Sequence, residues 1–246
     1  MDRLVLVVLF AAVASVVWGH ILEGGSLAAL WNGAAFFIVF CGSFFAVMVQ
    51  TPTALCIRAA HLTSWLVSPP YYSLDTLLTK LTTCGNALRK DGILGLDRVA
   101  QAETDPVMKR ALVMMADGQK PDAIQYSMSM EIETHLEKDF AAAELFDNLA
   151  GYLPTLGIVG AVLGLMQVLS NLQDPDELGA GIATAFVATF YGVAAANLIA
   201  IPVAGRLKAI VQQRKRYHSA MIVGVLALRE GINPQLLRYR LEGMDI

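Results

Sequence analysis

A long, nearly uncharged stretch places the strongest constraint on this chain. Residues 148–205 contain only three charged side chains, and all three lie in one short polar break, Asp174, Asp176 and Glu177. Each half of the stretch is long enough to cross a hydrocarbon core of roughly 30 Å, which takes about 20 apolar residues. Both halves are rich in Gly, Ala and Thr. The pattern predicts a transmembrane hairpin whose small residues allow close helix packing.

The two halves of this hairpin contain no Asp, Glu, Lys, Arg or His. An ion that crosses the membrane here would need a carrier, because intramembrane ion and proton pathways are built around ionisable side chains. The sequence therefore predicts that the function involves a partner protein.

The composition places the chain among integral membrane proteins. Hydrophobic residues make up 56% of it and charged residues 16%, which is too apolar for an ordinary soluble domain. The net charge of -3 argues against nucleic acid as a partner. The cysteines, Cys41, Cys56 and Cys84, are odd in number and show no metal-ligand spacing, so we expect them to be reduced and structural.

Two further apolar segments near the N-terminus complete a prediction of four membrane helices. Leu4 to Trp18 extends to Leu22, and Ala34 to Val49 carries no charge. A signal peptide is the alternative for the first segment, but its start has no net positive charge and its end has no small-residue cleavage pattern. The predicted spans are 4–22, 34–50, 151–170 and 180–204, and they form an N-terminal hairpin within residues 1–50 and a second hairpin within 151–204.

The positive charges predict the orientation. Besides Arg3, nine Lys or Arg lie between Arg58 and Lys138 and eight between Arg206 and Arg240, and the two remaining loops contain none. Because Lys and Arg are retained on the cytoplasmic side, both termini and the middle segment are expected to face the cytoplasm of a bacterial inner membrane. The basic run after Arg206 is expected to lie at anionic membrane lipid.

The cytoplasmic parts, residues 51–150 and 205–246, are predicted to be helical, which makes the whole fold all-α. Leucines recur at helical spacing after Ser73, a plausible N-cap. Asp105-Pro106 and Gly118 bound a second helix, and a third begins at Pro121 and is expected to continue into the third span. Gly231 is expected to end the helix after the fourth span, and Asn233-Pro234 to open a terminal one.

Enzyme signatures are absent from the sequence. The four histidines are scattered, and no metalloprotease, nucleophile-elbow, phosphate-loop or Cys-x-x-Cys motif occurs. His135 within Glu-Ile-Glu-Thr-His is the one place that suggests a metal, and a surface histidine is the simpler interpretation. We expect no enzyme activity and no cofactor.

Several residues within the second hairpin have both a local and a functional interpretation. An intramembrane threonine such as Thr155 or Thr189 can donate to its own helix or line a path. Pro154 and Pro202 can end their helices or act as a pair of hinges. The small residues around Thr189 and between Gly157 and Gly164 favour a crowded helix bundle, with room for a partner helix.

Three runs of residues resemble the MotA/PomA family of flagellar stator subunits. They are Gly-Tyr-Leu-Pro-Thr-Leu-Gly-Ile-Val-Gly-Ala-Val-Leu-Gly-Leu (151–165), Leu-Gly-Ala-Gly-Ile-Ala-Thr-Ala-Phe-Val-Ala-Thr-Phe-Tyr-Gly (178–192) and Ile-Pro-Val-Ala (201–204). Leu22-Glu23-Gly24-Gly25, Arg89 to Asp97 and Glu131 to His135 extend the likeness to nearly the whole chain. The resemblance implies a homo-oligomeric ring around helices of a B-type subunit, whose aspartate is protonated and released as ions pass and drive rotation of the ring.

The resemblance also implies roles for particular residues. Thr189 matches a threonine of the ion path, with Thr155 in the same path, and Ala161 stands where sodium-type relatives carry threonine, which favours protons over sodium as the transported ion. Pro154 and Pro202 match prolines tied to torque generation. Arg89 and Asp97 match a charged pair that meets the rotor switch protein, with companions Lys90 and Arg98. From the residues alone, that cluster is a solvated face.

Two alternatives to a stator subunit stay open at this stage. One is an ion-driven energiser of the related ExbB/TolQ type, whose members have three spans and act on outer-membrane systems. The other is a membrane scaffold without transport, in which the small residues only pack subunits.

Overall fold

The computed structural model describes residues 3–170, 175–231 and 234–243. Within these ranges every regular element is a helix and no strand occurs, so the predicted all-α fold is confirmed. Asp174, the side chains of Asp176 and Glu177, and Asn233, which entered the sequence predictions, lie outside the described residues.

The N-terminal part is built from apolar helices. They are α1 (Arg3–Leu22), a 3₁₀ turn (Leu27–Leu30), α2 (Gly33–Phe36), a π segment (Phe37–Cys41) and α3 (Gly42–Gln50). Ser26 and Asn32 cap the 3₁₀ turn and α2 by accepting backbone N–H groups three residues ahead. A polar cap satisfies free N–H donors of the first helical turn. The 3₁₀ turn and α2 therefore each begin directly after a residue whose side chain can act as a cap.

The second hairpin lies within four consecutive elements, α8 (Pro121–Ser170), α9 (Pro175–Ala195), a π segment (Ala196–Ala200) and α10 (Ile201–Arg229). The third predicted cytoplasmic helix does continue into the third predicted span, since α8 is unbroken over 50 residues. By length and apolar composition, three helical runs of the described residues can cross a membrane: 27–50, 121–170 and 178–229. Residues 7–22 form a shorter apolar helix.

The other helices are α4 (Thr53–Leu62), α5 (Ser64–Val67), α6 (Leu74–Ala102), α7 (Pro106–Ala116) and α11 (Pro234–Glu242). The predicted limits of α7 are confirmed. The Asp105 carboxylate accepts the N–H groups of Val107 and Met108, and Gly118 follows the helix with a φ of 76°, a conformation that favours glycine. Ser73 precedes α6 as predicted, but its side chain makes no capping hydrogen bond.

The chain divides into two compact units, and the first comprises residues 1–69 and 139–208. Its main core is made of small apolar side chains, mostly alanine: Ala35, Val39, Ala150, Leu153, Val187, Ala188, Ala195, Ala196 and Ala200. A second cluster surrounds Leu62 and Leu207. Next to it, Arg58 donates to the buried Asp139 carboxylate at 2.6 Å and lies over the Trp65 ring. The ion pair with Arg58 offsets part of the desolvation free energy of this buried carboxylate.

The second unit comprises residues 70–138 and 209–246. Its core consists of larger side chains, among them the fully buried Leu77, Leu81, Leu96, Met108, Leu112, Ile124, Met128, Met221 and Leu241. Burial raises the pKa of the Cys84 thiol to about 11, so this cysteine is an unreactive core residue. All three cysteines are free, which agrees with the sequence prediction.

A polar cluster is embedded in this second unit. The imidazole of His218, which is almost completely buried, lies 3.6 Å from the Asp105 carboxylate, and the Lys80 ammonium donates to Glu103 at 2.6 Å. Burial by itself would raise the pKa of Asp105 and of Glu103. Hydrogen bonds from backbone N–H groups and the contact with His218 lower the pKa of Asp105. Backbone N–H groups and Lys80 do the same for Glu103. These contacts outweigh the effect of burial and hold both pKa values below their ordinary range.

These lowered pKa values predict acid sensitivity of the fold. Carboxylates that are stabilised as anions in the folded state contribute fully at neutral pH, and their contribution is lost as the pH falls below about 4 and approaches the folded pKa. We expect the melting temperature of the detergent-solubilised protein to fall between pH 6 and pH 3.5. Asp105→Asn keeps a good N-cap but removes this charge, so its loss of melting temperature over that interval should be smaller. An equal loss in both proteins would contradict the prediction.

Candidate functional site

The residues predicted for the ion path lie on both helices of the second hairpin. Thr155 is exposed and Ala161 half-buried on α8, and Thr189 is half-buried on α9. The Thr155 hydroxyl donates to the Tyr152 carbonyl at 2.8 Å, and the Thr189 hydroxyl donates to the Ala185 carbonyl at 3.2 Å. Each hydroxyl oxygen keeps acceptor lone pairs. Both threonines can therefore accept a hydrogen bond from a protonated carboxyl group while their own proton stays within the helix.

Small residues allow α8 and α9 to pack closely against each other along a line that we call the glycine seam. It consists of Gly157, Gly160 and Gly164 on α8 and of Gly181, Ala188 and Gly192 on α9. A Cβ atom added to Gly157 would lie 3.0 Å from the Ala188 carbonyl oxygen and 3.4 Å from the Thr189 Cα. One added to Gly164 would lie 2.9 Å from the Gly181 carbonyl oxygen. The small residues thus pack α8 against α9 within one chain, and Thr189 borders the seam.

A cavity of about 300 Å³ lies beside the seam, between α2, α8 and α9. Its polar lining includes Gln167 and Thr184, and Gly160, Gly164 and Gly181 leave it open. Gln167 and Thr184 place a side-chain amide and a hydroxyl group beside this space.

A hydrogen-bond network joins the segment after α1 to α9. The Tyr191 hydroxyl donates to the Leu30 carbonyl at 2.5 Å and accepts the Asn32 N–H at 3.2 Å. The Asn32 side chain donates to the Thr184 hydroxyl at 2.7 Å while capping α2. Nothing in the positions of Thr184 and Tyr191 in the sequence indicated partners about 150 residues away. Asn32 was missed altogether.

Neither proline ends its helical run. Pro154 lies inside α8, where it lacks the N–H that would bond to the Ala150 carbonyl. Pro202 is the second residue of α10, and the helix directly follows the π segment at Ala196–Ala200. The wider π turn accommodates a missing donor, and such segments are frequent at functional sites. Simple termination is therefore wrong for both residues, and the hinge interpretation stays a prediction.

The charged residues predicted to meet the rotor are spread over a break in α6. Gly92, with φ 62° and ψ -147°, interrupts the helical backbone between Arg89 and Asp97. Arg89 and Lys90 are exposed before the break. After it, half-buried Asp97 accepts from Gln101 at 2.9 Å, and Arg98 lies 3.5 Å from Asp91. The sequence showed the glycine but did not reveal that it takes the left-handed conformation.

Potential metal ligands are not clustered in the part of the chain that the structure describes. No group of three or more His, Cys, Asp or Glu side chains comes together there. His135, for which a metal was considered, is exposed on α8. The candidate functional features are instead the glycine seam, the cavity beside it, the hydrogen-bond network around Tyr191 and the charged surface of α6.

A model of the MotA/TolQ/ExbB proton channel family matches residues 99–219. The match extends from the end of α6 into α10 and includes the glycine seam and both prolines. Fold and site together thus define the class, a helical membrane protein of that proton channel family.

Similar proteins extend this likeness to almost the whole chain. Motility protein A of Helicobacter pylori is 34% identical over 243 residues, which are 98% of this chain and 94% of that protein. The solved C. jejuni MotAB structure matches with a TM-score of 0.92 at 28% identity, over 99% of this chain and 96% of that one. The flagellar MotAB stator complex from Bacillus subtilis matches with a TM-score of 0.88 at 31% identity, over 97% and 94%.

The chain belongs to the motility protein A family. The resemblance noted in the sequence motifs is confirmed, and so is the prediction of a flagellar stator subunit.

Proposed function

We propose that this chain is the A-type subunit of a flagellar stator, which combines with a B-type subunit to convert ion flow into torque on the rotor. The observation that carries the proposal is the match of nearly the whole fold to the B. subtilis flagellar stator complex. The energiser and scaffold alternatives are less favoured, because relatives that match over 98% of this chain are named Motility protein A.

The B-type partner supplies the ion-binding carboxylate in this proposal. Residues 148–170 and 178–205 contain no Asp, Glu, Lys, Arg or His. A partner carboxylate beside Thr189 would be costly when charged, roughly 2.5 to 3.5 kcal/mol on insertion scales, and would shed that cost on protonation. Each proton that moves down a membrane potential releases about 2.3 kcal/mol per 100 mV. Protonation and release can therefore drive a change in which helices the carboxylate prefers.

The transported ion is a proton in this proposal. The choice rests on Ala161, whose methyl group offers no oxygen ligand at the position where, by the family resemblance, sodium-type relatives carry threonine. A sodium ion that loses its hydration shell needs several oxygen ligands in its place, whereas a proton needs only the carboxylate and a hydrogen-bond acceptor.

The remaining parts of the proposal concern assembly and placement. The chain crosses the inner membrane four times, with α1 as the first span. Both termini then lie on the cytoplasmic side, as the Lys and Arg distribution predicts. Several copies form a ring around the B-type helices. Pro154 and Pro202 allow the helices of the second hairpin to bend, and Arg89, Lys90, Asp97 and Arg98 meet the rotor switch protein.

Ion flux in liposomes tests the proposal. We expect a pH gradient to drive proton uptake when the chain is reconstituted with its B-type partner. No uptake above the lipid background is expected for the chain alone, or with a partner whose intramembrane Asp is changed to Asn. A sodium gradient at constant pH should drive no flux. Robust flux through this chain alone would contradict the carrier role of the partner, and sodium-driven flux would contradict the choice of ion.

A further inference from the structure

Thr189 and Tyr191 lie on opposite sides of α9. Both belong to the α-helical part of the span, before the π segment begins. An α-helix turns through about 100° per residue, so residues two positions apart point about 200° apart. Phe186 and Val193, which are exposed, lie three and four positions from Thr189 and share its side of the helix. Tyr191 instead packs against the main core of the first unit.

The hydrogen-bond network around Tyr191 holds α9 from this inner side. Thr184 lies seven positions before Tyr191, close to two helical turns, so both side chains belong to one face. The Tyr191 hydroxyl contacts the backbone of Leu30 and Asn32, and the Asn32 amide donates to Thr184. The segment after α1 therefore grips α9 at two points about two turns apart.

The cavity beside the glycine seam gives these hydrogen bonds a particular weight. Ala180, Gly181 and Thr184 of α9 line this cavity of about 300 Å³. Side chains that border a cavity have fewer protein atoms to pack against, so dispersion contacts constrain them less. Hydrogen bonds are directional and weaken steeply with misalignment. The rotation of α9 about its axis is therefore set here by the network as well as by packing.

A small rotation of α9 would displace the Thr189 hydroxyl. An atom about 5 Å from the axis of a helix moves by about 2 Å when the helix turns by about 20°. A hydrogen bond does not tolerate such a displacement. The Thr189 hydroxyl donates to the Ala185 carbonyl and so remains available as an acceptor. Its use as an acceptor thus depends on how α9 is held.

We propose that Tyr191 is a positioning residue, which with Asn32 and Thr184 fixes the rotation of α9 and holds Thr189 toward the ion-binding carboxyl group of the B-type partner. The proposal rests on the proposed stator function. It adds to the ion path a support from the segment after α1, a part of the chain that does not itself contact the transported ion.

The proton concentration that gives half-maximal flux separates positioning from stability. A hydrogen bond to the protonated carboxyl group favours that form, so its loss means that more protons are needed to fill the site. A variant that only folds less well has fewer working complexes, which lowers the maximal flux and leaves the half-maximal proton concentration unchanged. The measurement is proton uptake by the A–B complex in liposomes, at a fixed membrane potential and a series of external pH values.

Tyr191→Phe removes the hydroxyl group and keeps the ring, which lies 5.8 Å from the Phe40 ring between centroids. We expect the half-maximal proton concentration to rise roughly two- to tenfold, the effect of losing one hydrogen bond. The melting temperature of the complex should fall by only about 2 to 4 °C.

Gln50→Met is the matched control. Gln50 on α3 accepts a hydrogen bond from the Tyr152 hydroxyl on α8 at 3.2 Å. The substitution therefore removes a tyrosine hydrogen bond between two helices but leaves α9 and its network intact. The half-maximal proton concentration should stay at the value of the unmodified complex. A shift as large as that of Tyr191→Phe would overturn the special role of the network.

Asn32→Ser is the second variant, and it decides the test if Tyr191→Phe leaves too little flux to titrate. Serine is a good N-cap, so α2 keeps a cap, but the amide that donates to Thr184 is lost. We expect a shift in the same direction. In a Thr189→Val background, which has no acceptor to position, Tyr191→Phe should add no further shift. An additive shift would overturn the role assigned to Thr189.

The outcomes also distinguish this proposal from the proposed function. If the unmodified complex takes up protons while Tyr191→Phe and Asn32→Ser keep its half-maximal proton concentration, the positioning proposal is wrong and the stator function stands. An unmodified complex that takes up no protons would contradict the proposed function, and the positioning proposal with it.

Discussion

Gly192→Ala is expected to destabilise the second hairpin and to abolish swimming. A Cβ atom at this position would meet the Leu153 carbonyl group and lie 3.1 Å from the Pro154 Cα. These neighbours are backbone atoms, so the clash cannot be relieved by rotating a side chain, and α9 must move away from α8. Overpacking of a tight interior costs about 1 to 3 kcal/mol. The displacement would also shift Thr189, which borders the same seam.

Gly205→Ala is the matched control for this prediction. Gly205 also lies within a helix of the first unit, but an added Cβ would meet nothing within 4 Å. Alanine is favoured over glycine in helix interiors by roughly 0.5 to 1 kcal/mol, so this variant should be as stable as the unmodified protein or slightly more so. Melting in detergent and spreading in soft agar measure the two effects. Indistinguishable behaviour of the two variants would disprove the importance of the seam.

Pro154→Ala is expected to remove torque without harming the fold. The alanine restores the N–H that donates to the Ala150 carbonyl, and it removes the ring from the interior of α8. Proline costs about 3 kcal/mol relative to alanine inside a helix, although tertiary context changes the value. The melting temperature should therefore hold or rise while motor torque, measured on tethered cells, falls to near zero. Gain of stability with loss of function is what a residue kept for bending would produce.

Pro121→Ala on the same helix is the control for the proline effect. Pro121 is the first residue of α8, where a missing N–H removes no hydrogen bond of the helix. Its replacement should leave torque and membrane level unchanged. Normal torque in the Pro154→Ala variant would contradict the hinge proposal. A fall in its melting temperature would show instead that the proline serves packing.

Local signals in the sequence predicted much of the fold. Asp105-Pro106, Gly118 and Pro121 each act within a turn of their own position, and the structure confirms the helix limits that they predicted. The spacing of the glycines indicated close packing for a similar reason, because a missing side chain has the same effect whichever helix approaches. It did not indicate that α8 and α9 would pack against each other.

Long-range features could not be predicted from the sequence. The contacts of Tyr191 with Leu30 and Asn32 join residues about 160 positions apart, and no local pattern encodes them. The pocket that Arg89 lines also includes Leu228 of α10 and Leu237 of α11, which follow much later in the chain. The two π segments were not indicated either, because an apolar sequence is equally compatible with an ordinary α-helix.

The network around Tyr191 has a consequence for biogenesis. Its backbone partners, Leu30 and Asn32, belong to the segment between the first two apolar helices, which leaves the ribosome long before α9. The Tyr191 and Thr184 side chains can therefore make these hydrogen bonds only after the earlier segment has reached its final position. A chain whose first helix inserts in the wrong orientation would leave the Tyr191 hydroxyl and the Thr184 hydroxyl without these contacts. Correct insertion of the earliest segment thus contributes to the stability of the second hairpin.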